Sequence, residues 1–210
     1  MKKAISLLSG GLDSVVSTAL AQKRYEICLA LTFDYGHKAA VKEIQAAKGI
    51  SEKMGIPHKV IELPWLGNIT TTALVNKNIQ TPAAYDRDSV WVPNRNALFA
   101  NIAASFAENM KADYIIAGLN AEEGETFPDN SIEFVHQINK MFQHSTLTGV
   151  ELKSFTQNLR KIQIVERFIS LGFQPHEVWS CYNGGEKPCG KCESCLRSIA
   201  AFIQLGVTKV

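Results

Sequence analysis

Ser9-Gly10-Gly11-Leu12-Asp13-Ser14 constrains what this chain can fold into more than any other stretch. It follows the apolar run Ala4-Ile5-Ser6-Leu7-Leu8, which is too short for a helix and, ended by Gly-Gly, reads as a buried strand. Val15, Val16, Ala19 and Leu20 then recur at helical spacing, so a helix begins near Asp13 or Ser14. Strand, glycine turn and helix start together make an anion site. Without a Cβ the turn lets a ligand approach the backbone, and the first helical turn offers unpaired N–H groups at the positive end of its dipole. Ser9 and Ser14 add hydroxyl donors. A Walker-type loop would need a closing Gly-Lys-Ser/Thr, and no such lysine is present.

The hexapeptide resembles the SGGxDS signature of the PP-loop ATP pyrophosphatases, which cleave ATP between its α- and β-phosphates and pass AMP to a substrate oxygen. That resemblance implies ATP contacts along Leu8, Ser9, Gly10, Gly11, Leu12, Asp13, Ser14 and Val15. An ordinary glycine turn before a capped helix is the plain alternative.

Further strands and helices alternate. Ile27–Phe33 is a second strand with Cys28 as a small core residue, and a helix from about His37 to Met54 carries Val41, Ile44, Ala47 and Ile50 as its stripe. Lys59–Leu63 is a third strand. Pro64–Val92 lacks periodicity and is long for a connection, which marks a lid or binding loop. After Val92-Pro93-Asn94-Arg95-Asn96, Leu98, Ile102, Ala103 and Phe106 mark another helix, and Ala112–Gly118 is a fourth strand. A polar loop follows from Asn120 to Asn130, whose Glu122, Glu123 and Glu125 read as solvated acids, one of them available to Mg²⁺ or ammonium. A helix over Ser131–Phe142, a strand near Leu147–Leu152 and a helix over Asn158–Leu171 complete the series. This rhythm predicts an α/β fold, a doubly wound parallel sheet of the PP-loop kind, with ligands at the carboxyl ends of the strands. The Ser9–Ser14 turn and Asp34 fall there, and Asp34 joins the expected ATP contacts.

The tail places Cys181, Cys189, Cys192 and Cys195 at C-x7-C-x2-C-x2-C spacing. Such knuckles set thiolates on one side of a tight turn, and four sulfurs close a tetrahedron as structural zinc does. Disulfides and an iron–sulfur cluster are the chemical alternatives. Lys187, Lys191 and Arg197 are positioned in sequence to offset the charge of a tetrathiolate. Residues 1–175 are thus expected to form the nucleotide-binding domain, with 176–210 a small zinc-binding appendage packed on it.

These two anchors, joined by Val92-Pro93-Asn94-Arg95-Asn96 and running through Trp179-Ser180-Cys181-Tyr182 to Arg197, resemble the 7-cyano-7-deazaguanine synthase family of queuosine biosynthesis. The resemblance implies that ATP adenylates the carboxylate of 7-carboxy-7-deazaguanine, that ammonia displaces AMP to give an amide, and that a second activation dehydrates the amide to the nitrile. Asp13 would help hold Mg²⁺ with the nucleotide, while Arg95 and Lys161 neutralise charge on the α-phosphate or the substrate carboxylate, Lys161 having an exposed helix lysine as its plain alternative. Asp129 would accept from the amino group and ring N–H of the deazaguanine, with Phe127 stacking on the ring. Here the chain departs from the family's Tyr-Pro-Asp-Cys-Arg pattern: Pro128-Asp129 is retained, but Asn130-Ser131 follows. The resemblance also implies a homodimer.

Composition excludes little but excludes it firmly. At 210 residues with a net charge of +2, nothing argues globally for a nucleic-acid partner. The apolar run after Met1-Lys2-Lys3 is too short for a signal peptide, and no stretch is long enough to span a membrane, so a cytoplasmic protein is expected. Two rival functions stand. Thiolation of tRNA would need a reactive thiol, and only Cys28 is left once four cysteines hold metal. A zinc module binding nucleic acid would need a basic, aromatic face that the tail lacks.

Overall fold

Five parallel strands lie in the order β3-β2-β1-β4-β5: β1 (Lys3–Leu7), β2 (Glu26–Asp34), β3 (His58–Glu62), β4 (Tyr114–Ala117) and β5 (Glu151–Ser154). The computed structural model describes residues 1–84 and 86–207; residue 85 of the expected lid and 208–210 of the expected appendage lie outside the described residues. Because the central strands β2, β1 and β4 are buried on both faces, the middle of the sheet demands apolar side chains in both directions. On one face Ile5, Leu31, Ile115 and Leu152 meet two helices, α5 (Arg95–Asn109) through Ala103 and Ala107 and α7 (Ile132–Ser145) through Phe142. On the other, Ala4, Ala30 and Ile116 meet α1 (Leu12–Gln22), α2 (Ala40–Met54), α8 (Lys161–Ser170) and α9 (Glu193–Gln204) through Val16, Ile50, Phe168 and Phe202. The result is the expected doubly wound α/β architecture. Among the described residues no helix is long and apolar enough to cross a membrane.

The strand pairing skips Cys28: Ala4 is opposite Ile27 and Ile5 opposite Leu29. One extra residue in β2 is a bulge, and it lets Ile27 face one layer and Leu29 the other. The Cys28 thiol donates to the Ala4 carbonyl at 3.3 Å.

Several sequence expectations are corrected. The second helix begins at Ala40, not His37, and Val41 is exposed because Ala40, Ala47 and Ile50 make the buried stripe. β5 starts at Glu151 rather than near Leu147, which is fully exposed. Gly149, with φ 62°, turns the chain between them, so no strand can run through. The polar loop after Asn120 contains a helix, α6 (Ala121–Thr126), because Asn120 Oδ1 accepts from the Glu123 amide at 2.9 Å as an N-cap. The stretch expected to be irregular holds two short helices, α3 (Pro64–Asn68) and α4 (Arg87–Val90), and buries Leu66, Leu74 and Val90 in the core. Lys38 N donates to Leu74 O, and Ala73 N to Ser89 O, so this segment is tied to the body.

Two glycines make the close approaches on which the turn after β1 depends. Gly10 has φ 80°, and a Cβ there would lie 2.6 Å from the Glu43 carbonyl oxygen in α2. At Gly118, just past β4, a Cβ would lie 2.4 Å from Ser14 N and 2.5 Å from Ser14 Cα. Gly118→Ala must therefore push the start of α1 away from β4. We expect a loss of about 2–4 kcal/mol, of the size seen for overpacked cores, read as a lower urea midpoint at unchanged m. An unaltered midpoint would show that the approach is slack.

Candidate active site and metal centre

The sheet reverses its winding between β1 and β4, and there, at the carboxyl ends of the strands, lies a cavity of about 250 Å³. Its wall includes Leu8, Ser9, Gly11, Asp13 and Ser14 from the turn, Gly118 and Leu119 after β4, and Tyr35, His37 and Glu43 beyond β2. The turn is held by its own hydroxyls. Ser14 Oγ donates to Gly11 O at 2.9 Å and accepts from Ser9 N at 3.2 Å, and Gly11 N donates to Ser9 Oγ at 3.3 Å. No side chain caps α1, so its first N–H groups stay available to an anion. Leu12 and Val15 are buried core residues and do not line the cavity. Gly10 faces α2 and accepts from Trp179 N at 2.9 Å.

Asp34 does not line the cavity. Its Oδ1 accepts from the Gly36 amide at 2.9 Å, closing a local turn. Asp13, by contrast, meets Lys161: the ammonium donates to Oδ1 at 2.8 Å and to Oδ2 at 2.6 Å. Burial pushes the Asp13 carboxyl up, and the Lys161 cation opposes that push. Lys161 is only 5% exposed, which removes the exposed-lysine alternative. It is the first residue of α8, and its amide donates to Glu122 Oε1 at 3.0 Å.

A second, smaller cavity adjoins the first, lined by Trp91, Arg95, Phe127, Asp129 and Asn130. Arg95, the first residue of α5, follows Asn94 in the left-handed region with φ 58°, which turns the chain into the helix. Its Nη1 donates to the Tyr35 hydroxyl at 3.3 Å. Burial raises the Asp129 carboxyl and Arg95 works against it. Asn130 Nδ2 donates to Asp129 Oδ1 at 3.1 Å, so the residue that departs from the family pattern supports Asp129 directly. The rings of Phe127 and Trp91 are parallel within 6°, with centroids 6.3 Å apart. Sequence reasoning missed Trp91, although its place between Val90 and Val92 just before the Arg95 helix was a usable signal.

The acids of α6 are not simply solvated. Glu123 Oε1 accepts from Arg197 Nη2 at 2.8 Å, and Arg160 Nη2 donates to Glu125 at 3.1 Å. Arg197 was expected beside the thiols, yet it faces Glu193 at 2.9 Å and Glu122 at 3.7 Å. Burial works to raise the Glu123 carboxyl, but the Lys161 and Arg197 cations outweigh it and hold it below the usual range.

The sulfurs of Cys181, Cys189, Cys192 and Cys195 lie within 4.8 Å of one another, with Cys189 and Cys195 at 4.0 Å. Cys192 and Cys195 flank the start of α9, and Asn183 N and Cys189 N both donate to Cys181 Sγ at 3.3 Å. Four thiols so gathered could hold one metal ion. Cys28 is in β2, away from both cavities.

Comparison with known proteins agrees with this picture. A family model described as "Queuosine biosynthesis protein QueC" matches residues 3–206. A 7-cyano-7-deazaguanine synthase of Carboxydothermus hydrogenoformans is 51% identical over 94% of this chain and 96% of its own. The one from Methanosarcina mazei is 42% identical over 98% and 95%. Among solved structures, the U34-tRNA thiolase NcsA of Methanococcus maripaludis with its [4Fe-4S] cluster aligns with a TM-score of 0.55 at 18% identity, over 99% of this chain and 66% of that one. A 4-thiouridine synthetase–RNA complex with bound ATP gives 0.55 at 21% identity, over 98% and 52%. These structural likenesses are similarities of fold, the PP-loop fold.

Proposed function

The chain belongs to the QueC family of queuosine biosynthesis proteins, and from that premise we propose that it converts 7-carboxy-7-deazaguanine, ATP and ammonia to 7-cyano-7-deazaguanine. The observation that carries this reading is the pair of adjoining cavities with Arg95 in the wall of both. One cavity has the phosphate-binding turn. The other has a carboxylate and two parallel rings suited to a flat, donor-bearing heterocycle. A carboxylate cannot expel oxide, so its oxygen attacks the α-phosphorus and pyrophosphate leaves. Nitrogen then displaces AMP, and the amide oxygen is activated in the same way before AMP and a proton depart to leave the nitrile. The barrier of the first step is the meeting of two anions, which cations fixed nearby lower. Arg95 sits between the two sites, and Lys161, oriented by Asp13, serves the phosphates. Asp13 is a cavity acid available to the Mg²⁺ that accompanies ATP.

The metal we propose is zinc. With Zn–S bonds of about 2.3 Å, a tetrahedron has sulfur–sulfur edges of about 3.8 Å, close to the 4.0 Å between Cys189 and Cys195. A cubane cluster ties its thiolates to four separate irons and needs them farther apart. Four free thiols gathered this way suit a reducing compartment, the cytoplasm. Residues 176–210 then act as a metal-stapled segment on the nucleotide-binding body.

Purified protein given ATP, ammonium and the carboxydeazaguanine is expected to release AMP and form the nitrile, followed by mass spectrometry. Asp129→Asn, which turns an acceptor for two donors into a mixed group, is expected to raise KM for the acid by about 10–100-fold, one bidentate contact being worth about 1–3 kcal/mol. AMP release that depends on tRNA, without nitrile, would replace this reading with thiolation.

A further inference from the structure

Five residues line both cavities: Leu74, Arg95, Glu123, Asn130 and Tyr182. Any bond made between a nucleotide in one cavity and a heterocycle in the other forms beside them. Arg95 is a cation, Leu74 is apolar, and the Asn130 amide accepts no proton in water's pH range. The Tyr182 hydroxyl donates to Glu193 Oε2 at 2.9 Å. Glu123 is thus the one Brønsted base in this shared wall. It comes from the first turn of α6, and Arg197 fixes its Oε1.

Resting on the function proposed above, we propose that Glu123 accepts the protons shed by the reacting nitrogen, first in amide formation and again in nitrile formation. In the first step the nitrogen lone pair forms a bond to the acyl carbon, and the C–O bond breaks with its electrons leaving on AMP. The nitrogen so bonded is a protonated amide, a far stronger acid than any carboxylic acid, and one N–H proton passes to Glu123. Even a carboxylate held below its usual range is basic enough for that transfer. Bulk water takes the proton before the next step. In the second, the amide oxygen takes AMP as its nitrogen passes one N–H proton to water, leaving an imidate with a single N–H. The C–O bond breaks with its electrons, the remaining N–H proton goes to Glu123, and the freed pair completes the carbon–nitrogen triple bond. The first and the last of the three protons leave the same atom at the same place, so one base serves both steps.

Adenylation of the acid sheds no nitrogen proton, which separates the roles. In Glu123→Gln, amide formation from the acid and nitrile formation from supplied amide should both fall about 100-fold more than acid-dependent ATP–pyrophosphate exchange. Glu123→Asp keeps the charge but withdraws it by one methylene, and should give the same ordering to a smaller degree, which covers a glutamine variant that fails to fold. An equal fall in exchange would mean that Glu123 serves the phosphates or the fold, and would overturn the proposal. A fall in amide formation alone would also overturn it, by reducing Glu123 to an ammonium site. No exchange in the unaltered protein would sink the parent reading instead.

Discussion

Asp13→Asn is expected to cut AMP production by at least about 100-fold while leaving a folded protein, because the substitution releases Lys161. Both carboxylate oxygens of Asp13 accept from the Lys161 ammonium, and that lysine is buried. Truncating one partner of a buried pair leaves the other charge uncompensated, at a cost of about 3–5 kcal/mol. Here Glu123 lies close enough to act on Lys161, so the loss should fall toward the lower end, about 3 kcal/mol. The catalytic loss has a different origin. A lysine freed toward Glu123 no longer points at the phosphates, and a misplaced charge forfeits the electrostatic stabilisation of the transferring phosphoryl group. Lys161→Met should lose a similar factor, and the double variant little more than either single one, since residues acting as a unit are not additive. AMP release and urea unfolding on the three variants check this. Unchanged turnover in Asp13→Asn would remove the pair from the mechanism.

The pair also shows where a sequence stops being legible. The turn from Ser9 to Ser14, the helix behind it and the four cysteines could be read directly, because each depends on neighbours in the chain. The alternation of strands and helices gave the sheet for the same reason. Lys161 could not be assigned that way: its partner is 148 residues distant, and only the packing of α8 against α1 brings them together. Glu123 was misread for two reasons. Its Asn120 cap was hidden in a stretch that looks like a polar loop, and its partner Arg197 comes from the far end of the chain. Asp34 is a different case. Its position at the end of β2 was right, but its carboxylate closes its own turn. Leu147 and Val41 show that an apolar residue at a hopeful spacing need not be inward.

Removing the metal is expected to cost both stability and catalysis, and the second loss is the more informative. Cys192→Ser deletes one of the four thiols, itself buried, and a closed site contributes folding energy directly. We expect about 3 kcal/mol, or roughly 10 °C in Tm for a chain of this size. Cys28→Ser serves as the control, because its thiol makes one contact to the Ala4 carbonyl and no metal bond. The cluster does not touch either cavity wall through sulfur, yet its segment reaches both. Tyr182 follows Cys181 in the chain, lines the two cavities, and donates to Glu193, which is paired with Arg197. Arg197, two residues past Cys195, holds Glu123. A chelated protein kept below its lowered Tm should therefore lose amide and nitrile formation, and zinc should restore both. Calorimetry with and without chelator, alongside the exchange and nitrile assays, separates the two effects. If the metal-free protein keeps its Tm and its turnover, the four thiols neither support the fold nor reach Glu123 through α9.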